Sequence, residues 1–464
     1  MLYQRHLFFA AVIVSLSLSI FYGRHFRASA LTTALIGPSR RVFETVTLRD
    51  YRAAAAAVHC ENPYAQDGYL YFDNPLEPTA AQFFPFYTVL DGAGRDQALP
   101  ADEYADPADP DYIIDGDLYF GGKTAAKPKP EAFRTAPHNW YNDLQKLQEQ
   151  REFTTDPALR AELEQRTAWM HSKTVLFVGD STDRFLSLYF CENAFGGKLR
   201  VAPGGVHSST HCEIPFLNFT ILTWHVASTY TTRPSWWIAP GMEIVSWEDR
   251  WDKFFMPSLT AGNFVDGGHH SRARPDLIIV QSGLWDLEAF RAADRAQAGR
   301  PRAADFLASA NETIQVDPAR RLNYRALRFY MRRMGKMLDD VRAAFPDSPM
   351  LCRSLTQETA VEWNAGLQQL GQALSYACQS RDIEMMPFNR IVRDLISVRE
   401  AFADDKHFRE SMISSVYHNM MLWYLNRAAG GVEDRGELLT TAATGPTDLE
   451  NWNRCHNYYM IRST

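Results

Sequence analysis

Lys173–Arg184 reads KTVLFVGDSTDR. Thr174 to Val178 is a short apolar, β-branched run, the composition of a parallel strand buried on both faces. Gly179-Asp180-Ser181 breaks that run. After Thr182, apolar residues at Phe185, Leu186, Leu188, Tyr189 and Phe190 return at helical spacing. The stretch therefore predicts strand, tight turn and helix, with Ser181 on the turn. In an open α/β sheet, sites form outside the carboxyl ends of the strands. A hydroxyl there faces the positive end of a helix, which suits a nucleophile whose reaction builds an oxyanion. Gly-Asp-Ser is also ordinary turn and helix-cap chemistry, so this motif acquires meaning only from residues later in the chain.

Along the chain, strands are expected at 174–178, 198–202, 219–227, 276–281, 349–354 and 383–388. Helices are expected at 139–152, 157–171, 183–193, 323–344, 361–380 and 410–427. Strands alternating with helical patterns predict an α/β fold: a three-layer αβα sandwich around a short parallel sheet. Residues 139–430 form this domain. Residues 31–138 read as a stem and an accessory segment of loops and short strands, with an alanine run at Ala53–Ala57 and an acidic loop at Ala101–Tyr112. Residues 431–464 read as a tail whose aromatics pack back on the domain.

Residues 1–30 carry an address. Leu7–Tyr22 is an uncharged apolar run, with Arg5 and His6 before it and Arg24, His25 and Arg27 after it. It predicts an uncleaved signal anchor with a luminal body. The alternative is a cleaved signal peptide using Ala28-Ser29-Ala30, which gives a secreted protein. Two triplets, Asn218-Phe219-Thr220 and Asn311-Glu312-Thr313, are glycosylation sequons. The six cysteines are even in number and contain no CxxC pair, which argues for disulfides over zinc. Cys191 with Cys212 is the expected pair. Cys352 and Cys378 fall in core elements and read as buried thiols. The net charge of −7 carries no long basic run, which excludes a nucleic-acid partner.

A serine nucleophile needs a base, and the base needs an orienting group. Ala403-Asp404-Asp405-Lys406-His407-Phe408 supplies both in one loop before a long helix. His225, His269, His270 and His418 compete as bases, His418 reading as a packing residue inside its helix. Gln281-Ser282-Gly283-Leu284-Trp285-Asp286 follows the strand Leu277–Val280, so it falls on the same rim as Ser181. Gly283 permits close backbone approach. Trp285 is placed to wall a pocket.

Gly179-Asp180-Ser181 with Arg184 (GDSxxR), Gly283-Leu284-Trp285-Asp286, and Asp404-x-x-His407 together resemble the SGNH/GDSL hydrolase superfamily. Within it they resemble the PC-esterase and trichome-birefringence-like branch, which includes plant cell-wall polysaccharide O-acetyltransferases and related fungal proteins. The resemblance spans residues 165–427 and implies an SGNH-like fold in a single-pass Golgi protein. It implies Ser181 as nucleophile, His407 as base and Asp404 as orienter. Asp180, Arg184, Gly205, Gly283 and Trp285 are the implied oxyanion and substrate residues. Trp285 stands where many SGNH enzymes carry Asn, and Phe185 stands where the plant branch does. The implied activity is O-acyl transfer or ester hydrolysis on a glycan, with an acyl donor and no cofactor or metal. The alternative is a non-catalytic glycan-binding or structural Golgi protein on the same scaffold.

Overall fold

A computed structural model describes residues 62–65, 68–72, 81–85, 138–153, 156–195, 197–201, 209–226, 228–229, 247–257, 274–297, 321–359, 361–429 and a few positions between 433 and 453. The expected anchor, the Ala53–Ala57 run, the acidic loop, Gly205, His269, His270, Asn311, Cys60 and Cys455 lie outside these residues. Among the described residues, no helix is long and apolar enough to cross a membrane.

A hairpin of β1 (Gly68–Phe72) and β2 (Ala81–Pro85) comes first, then α1 (Trp140–Phe153) and α2 (Pro157–Thr167). Next are β3 (Thr174–Gly179), α3 (Ser181–Leu188), β4 (Lys198–Val201), β5 (Ser209–Ile214) and β6 (Phe219–His225). The chain continues through α4 (Trp247–Arg250), β7 (Leu277–Val280), α5 (Leu284–Gln297), α6 (Tyr324–Ala344) and β8 (Met350–Arg353). It closes with α7 (Val361–Gln379), β9 (Glu384–Met386), α8 (Phe388–Val392) and α9 (Glu410–Ala428).

Seven strands form one sheet in the order β4-β5-β6-β3-β7-β8-β9. The five from β6 to β9 are parallel, whereas β4-β5 and β5-β6 are antiparallel. The wholly parallel sheet expected from the sequence is therefore extended by an antiparallel edge. Its missed member, β5, reads STHCEI, too polar to look like a core strand. It is nevertheless buried, because Cys212 bridges to Cys191 and its neighbours are covered.

Alternation along β3 assigns the two faces. Val175 and Phe177 join the core beneath α1, α3 and α9. Leu176 and Val178 join a second core with α5, α6 and α7. In α6, Ala326, Tyr330, Met334, Met337, Leu338 and Val341 recur every three or four residues and are all buried. Asn323 caps that helix, its side chain accepting from the Ala326 amide at 2.9 Å. The three layers match the expected sandwich.

The β1-β2 hairpin packs against α9, where Ser415 Oγ bonds both the Ala81 amide and its carbonyl. Trp452, from the tail, lies under the Arg427 guanidinium at 3.8 Å. Cys352 and Cys378 are not thiols: they form a second disulfide, between β8 and α7. A cysteine on a strand and another on the helix covering it read as two buried residues in sequence. The packing of α7 on β8 brings their Cα atoms to 6.5 Å, within bridging range.

Candidate active site

The chain leaves β3 to build β4–β6 on one side of it and then crosses to β7 on the other. The carboxyl end of β3 is thus a topological switch point, where an open α/β sheet leaves a crevice. Gly179 ends β3, Asp180 caps α3 and Ser181 is the first residue of that helix. The Asp180 carboxylate accepts from the Thr182 amide at 2.9 Å. This fixes the turn, and the Ser181 amide is among the first amides of α3, which have no acceptor within the helix itself.

The base comes from the loop between α8 and α9. Phe402 and Phe408 pair across its neck with ring centroids 4.6 Å apart, and both are buried. The Ala403 amide donates to the His407 carbonyl at 2.7 Å, closing the loop. Thr359, after β8, donates its amide to the Asp405 carbonyl at 3.1 Å, and the Tyr189 hydroxyl donates to the Phe408 carbonyl at 3.3 Å. A loop held at these points presents its one imidazole in one place.

That place is the nucleophile. His407 Nε2 lies 2.7 Å from Ser181 Oγ, across 226 residues of sequence. His407 Nδ1 lies 2.7 Å from Asp404 Oδ2. The other Asp404 oxygen accepts from the Lys406 and His407 amides at 2.7 and 2.8 Å. With a carboxylate at Nδ1, that nitrogen carries the proton and Nε2 is free to accept one from serine. Partial burial pushes the Asp404 carboxyl up, but hydrogen bonds from the His407 ring and the two amides outweigh it and hold it below its ordinary value. Asp405 faces elsewhere, exposed, with Thr359 and Arg399 as its neighbours.

No family model matches the chain, and no curated protein does. A solved structure from Parabacteroides merdae, assigned as a GDSL-like lipase, is similar over 54% of this chain and 95% of that one, at 10% identity and a TM-score of 0.30. Likeness at that level says nothing of chemistry. The Ser181–His407–Asp404 geometry stands without it.

The remaining expected residues divide. Arg184, one turn into α3, lies over the Phe185 ring at 4.5 Å, and its Nε is buried without a hydrogen-bond partner. Burial lowers the pKa of its guanidinium from the usual arginine value. Phe185 also packs on the His407 ring at 4.5 Å, so it backs the base and the guanidinium together. Gly283 does allow a close approach, but to a side chain: a Cβ there would overlap Leu355. Trp285 is not on a turn. It is the second residue of α5, and buried. The turn signal at Gly283 hid a helix that starts one residue later.

Two of the four competing histidines, His225 and His418, lie among the described residues. His225 ends β6, fully buried, and its carbonyl accepts from Arg250. His418 is buried on α9, with Nε2 2.7 Å from the Leu186 carbonyl. Burial pushes its ring down to about 3, so it is neutral and cannot serve as a proton carrier there.

Sequence reasoning missed the group beneath the nucleophile. Asp183, in the first turn of α3, is buried with four donors on its carboxylate. Arg353 gives two, at 2.6 and 3.2 Å; Tyr417 gives one at 2.9 Å; Gln281 gives one at 3.1 Å. Burial alone would lower the Arg353 pKa, but Asp183, Tyr417 and Asp180 beside it raise it, so the guanidinium stays charged. This pair joins the ends of β7 and β8 and the helix α9 to the turn that carries Ser181. The available signal was Arg353 itself, a charged residue closing the apolar strand MLCR.

Proposed function

We propose that the protein is a serine-dependent esterase or O-acyltransferase acting on acyl esters of a glycan through an acyl-Ser181 intermediate. The observation that carries this reading is the Ser181–His407–Asp404 relay, with both contacts at 2.7 Å. Ser181 Oγ attacks the ester carbonyl while His407 Nε2 takes its proton. The oxyanion forms at the amino end of α3, where the Ser181 amide and the Arg184 guanidinium are its donors. The tetrahedral species collapses, His407 returns the proton to the leaving alcohol, and the acyl group stays on Ser181. In the second half His407 deprotonates water or a sugar hydroxyl, which attacks the acyl-serine; the bond from the acyl carbon to Ser181 Oγ breaks and His407 returns the proton to that oxygen. These steps balance without a cofactor.

Gly205, Gly283 and Trp285 are proposed to shape the oxyanion and substrate side, and Asp180 to hold the turn. The two disulfides fit an oxidising luminal or extracellular compartment. A luminal, Golgi-type body on an N-terminal anchor is proposed from the apolar run Leu7–Tyr22. A purely glycan-binding role would leave a serine, an imidazole and a carboxylate aligned at hydrogen-bond distance with no task.

The test is incubation of the protein with an acetylated glycan, with and without a hydroxyl-bearing acceptor glycan, and then mass spectrometry. Free acetate identifies an esterase and an acetylated acceptor identifies a transferase. Neither product from a folded, disulfide-bonded protein, on a panel of polysaccharide acetates, contradicts the reading.

A further inference from the structure

The sequon Asn218-Phe219-Thr220 lies at the turn between β5 and β6. Asn218 is exposed and adopts the left-handed backbone conformation, φ 49°. Its amide nitrogen donates to Ser172 Oγ at 3.1 Å. An amide nitrogen has two N–H bonds, and a sugar replaces only one. The turn is held independently, by the Asn218 amide on the Pro215 carbonyl and the Ser172 amide on the Leu217 carbonyl.

The position relative to the nucleophile is fixed by register. Thr220 pairs with Thr174, and His225 with Gly179. Asn218 thus precedes β6 at the amino ends of the parallel strands, while Ser181 follows β3 at the carboxyl ends. Seven strand residues separate the two rims, or about 20 Å. The disulfides Cys191–Cys212 and Cys352–Cys378 are a second, independent mark of a compartment in which such transfer occurs.

We infer that Asn218 is an N-glycosylation site, occupied before the sheet closes, whose glycan covers the rim opposite the catalytic crevice. The inference stands apart from the chemistry proposed for Ser181. A bond forms between sugar C1 and Asn218 Nδ2, and the bond from C1 to a phosphate oxygen of a lipid-diphosphate-linked oligosaccharide breaks. The lipid diphosphate leaves, and the amide proton passes to solvent. Thr220 sets the timing. The triplet is read through its hydroxyl-bearing residue, yet Thr220 is only 2% exposed once β6 is paired with β3 and β5. A transferase reaches it while the segment is still unpaired.

The experiment is expression of the full chain in a eukaryotic secretory host, release of glycans by an amidase in heavy-oxygen water, and peptide mapping. The wild type carries the isotopic label at position 218. Asn218→Gln loses one glycan by mobility and keeps ester turnover within twofold. Thr220→Ser keeps the modification, whereas Thr220→Val, which preserves volume and strand propensity, loses it. An unlabelled Asn218 peptide in the wild type overturns the inference, as does a glycan confined to Asn311. A label that persists in Thr220→Val also overturns it.

Discussion

The Asp183 carboxylate occupies the space where a side chain at Gly179 would stand. Gly179 is therefore a requirement of the ion pair beneath it as well as of the turn. Asp183 cannot swing aside, because Arg353, Tyr417 and Gln281 hold it. Gly179→Ala should cost roughly 2 kcal/mol or more, as overpacking against a fixed charge. It should also displace Ser181. Urea unfolding and ester turnover measured on the same variant check both effects.

The Asp183–Arg353 pair is fully buried, so removing one member strands the other. Arg353→Met should destabilise the protein by about 3–5 kcal/mol. Replacing Asp183 by Asn in the same background should cost far less than a second such penalty, since the charge left behind is gone. A double-mutant cycle by chemical denaturation measures the coupling. Additive losses would mean that the two groups do not depend on each other.

Asp286 gives the fold a pH dependence of known sign. Its carboxylate accepts from the Thr229 amide, the Thr229 hydroxyl and Ser282, yet burial pushes it up to about 6. In the unfolded chain its pKa is the ordinary 3.8. Between these values the folded protein holds the extra proton, so this contribution is present below about pH 4 and is lost as pH rises through 6. The span is on the order of 2–3 kcal/mol. Asp286→Asn should flatten the stability profile between pH 4 and 6 relative to wild type, and parallel profiles would contradict it.

The Cys352–Cys378 bridge closes a loop of 26 residues. Loss of such a cross-link costs about 3 kcal/mol. Cys352→Ala with Cys378→Ala should lower stability by about that amount. The same substitutions leave Ser181 and His407 in place, so turnover below the unfolding transition should persist.

Much of this was legible. The apolar run Thr174–Val178 with Gly-Asp-Ser after it announced its strand and turn because a two-sided buried strand has few other spellings. Asp404 and His407 were legible as a pair because three residues of one tight loop stay together wherever the loop goes. Arg353 and Tyr417 were not, because the contact to Asp183 crosses 170 and 234 residues and exists only once β8 and α9 reach the centre. The helix after Gly283 and the polar strand β5 were hidden for a simpler reason. Local composition pointed to a turn and to solvent, and tertiary burial decided otherwise.

The Asp404-x-x-His407 spacing makes a sharp comparison. His407→Ala should cost about as much in kcat/KM as loss of the serine, because the members act as one unit. Asp404→Asn should cost a large factor, since it removes the acceptor that orients Nδ1–H. Asp405→Asn should be mild, its carboxylate being turned toward Arg399 and Thr359. Hydrogen bonds from the His407 ring and two backbone amides hold the Asp404 carboxyl below its ordinary value, so it keeps its charge through the usual carboxylate range. A mild Asp404→Asn beside a crippled Asp405→Asn would reverse the assignment.

In the proposed cycle Ser181 carries the acyl group. Rapid quenching of the protein with an activated acetyl ester, and then peptide mass spectrometry, detects that acyl-enzyme. One acetyl group should appear on the peptide containing Gly179-Asp180-Ser181, located to Ser181, and should be absent from a folded Ser181→Ala protein. Turnover by Ser181→Ala at the wild-type rate, or acetyl trapped on another residue at that rate, would contradict the account.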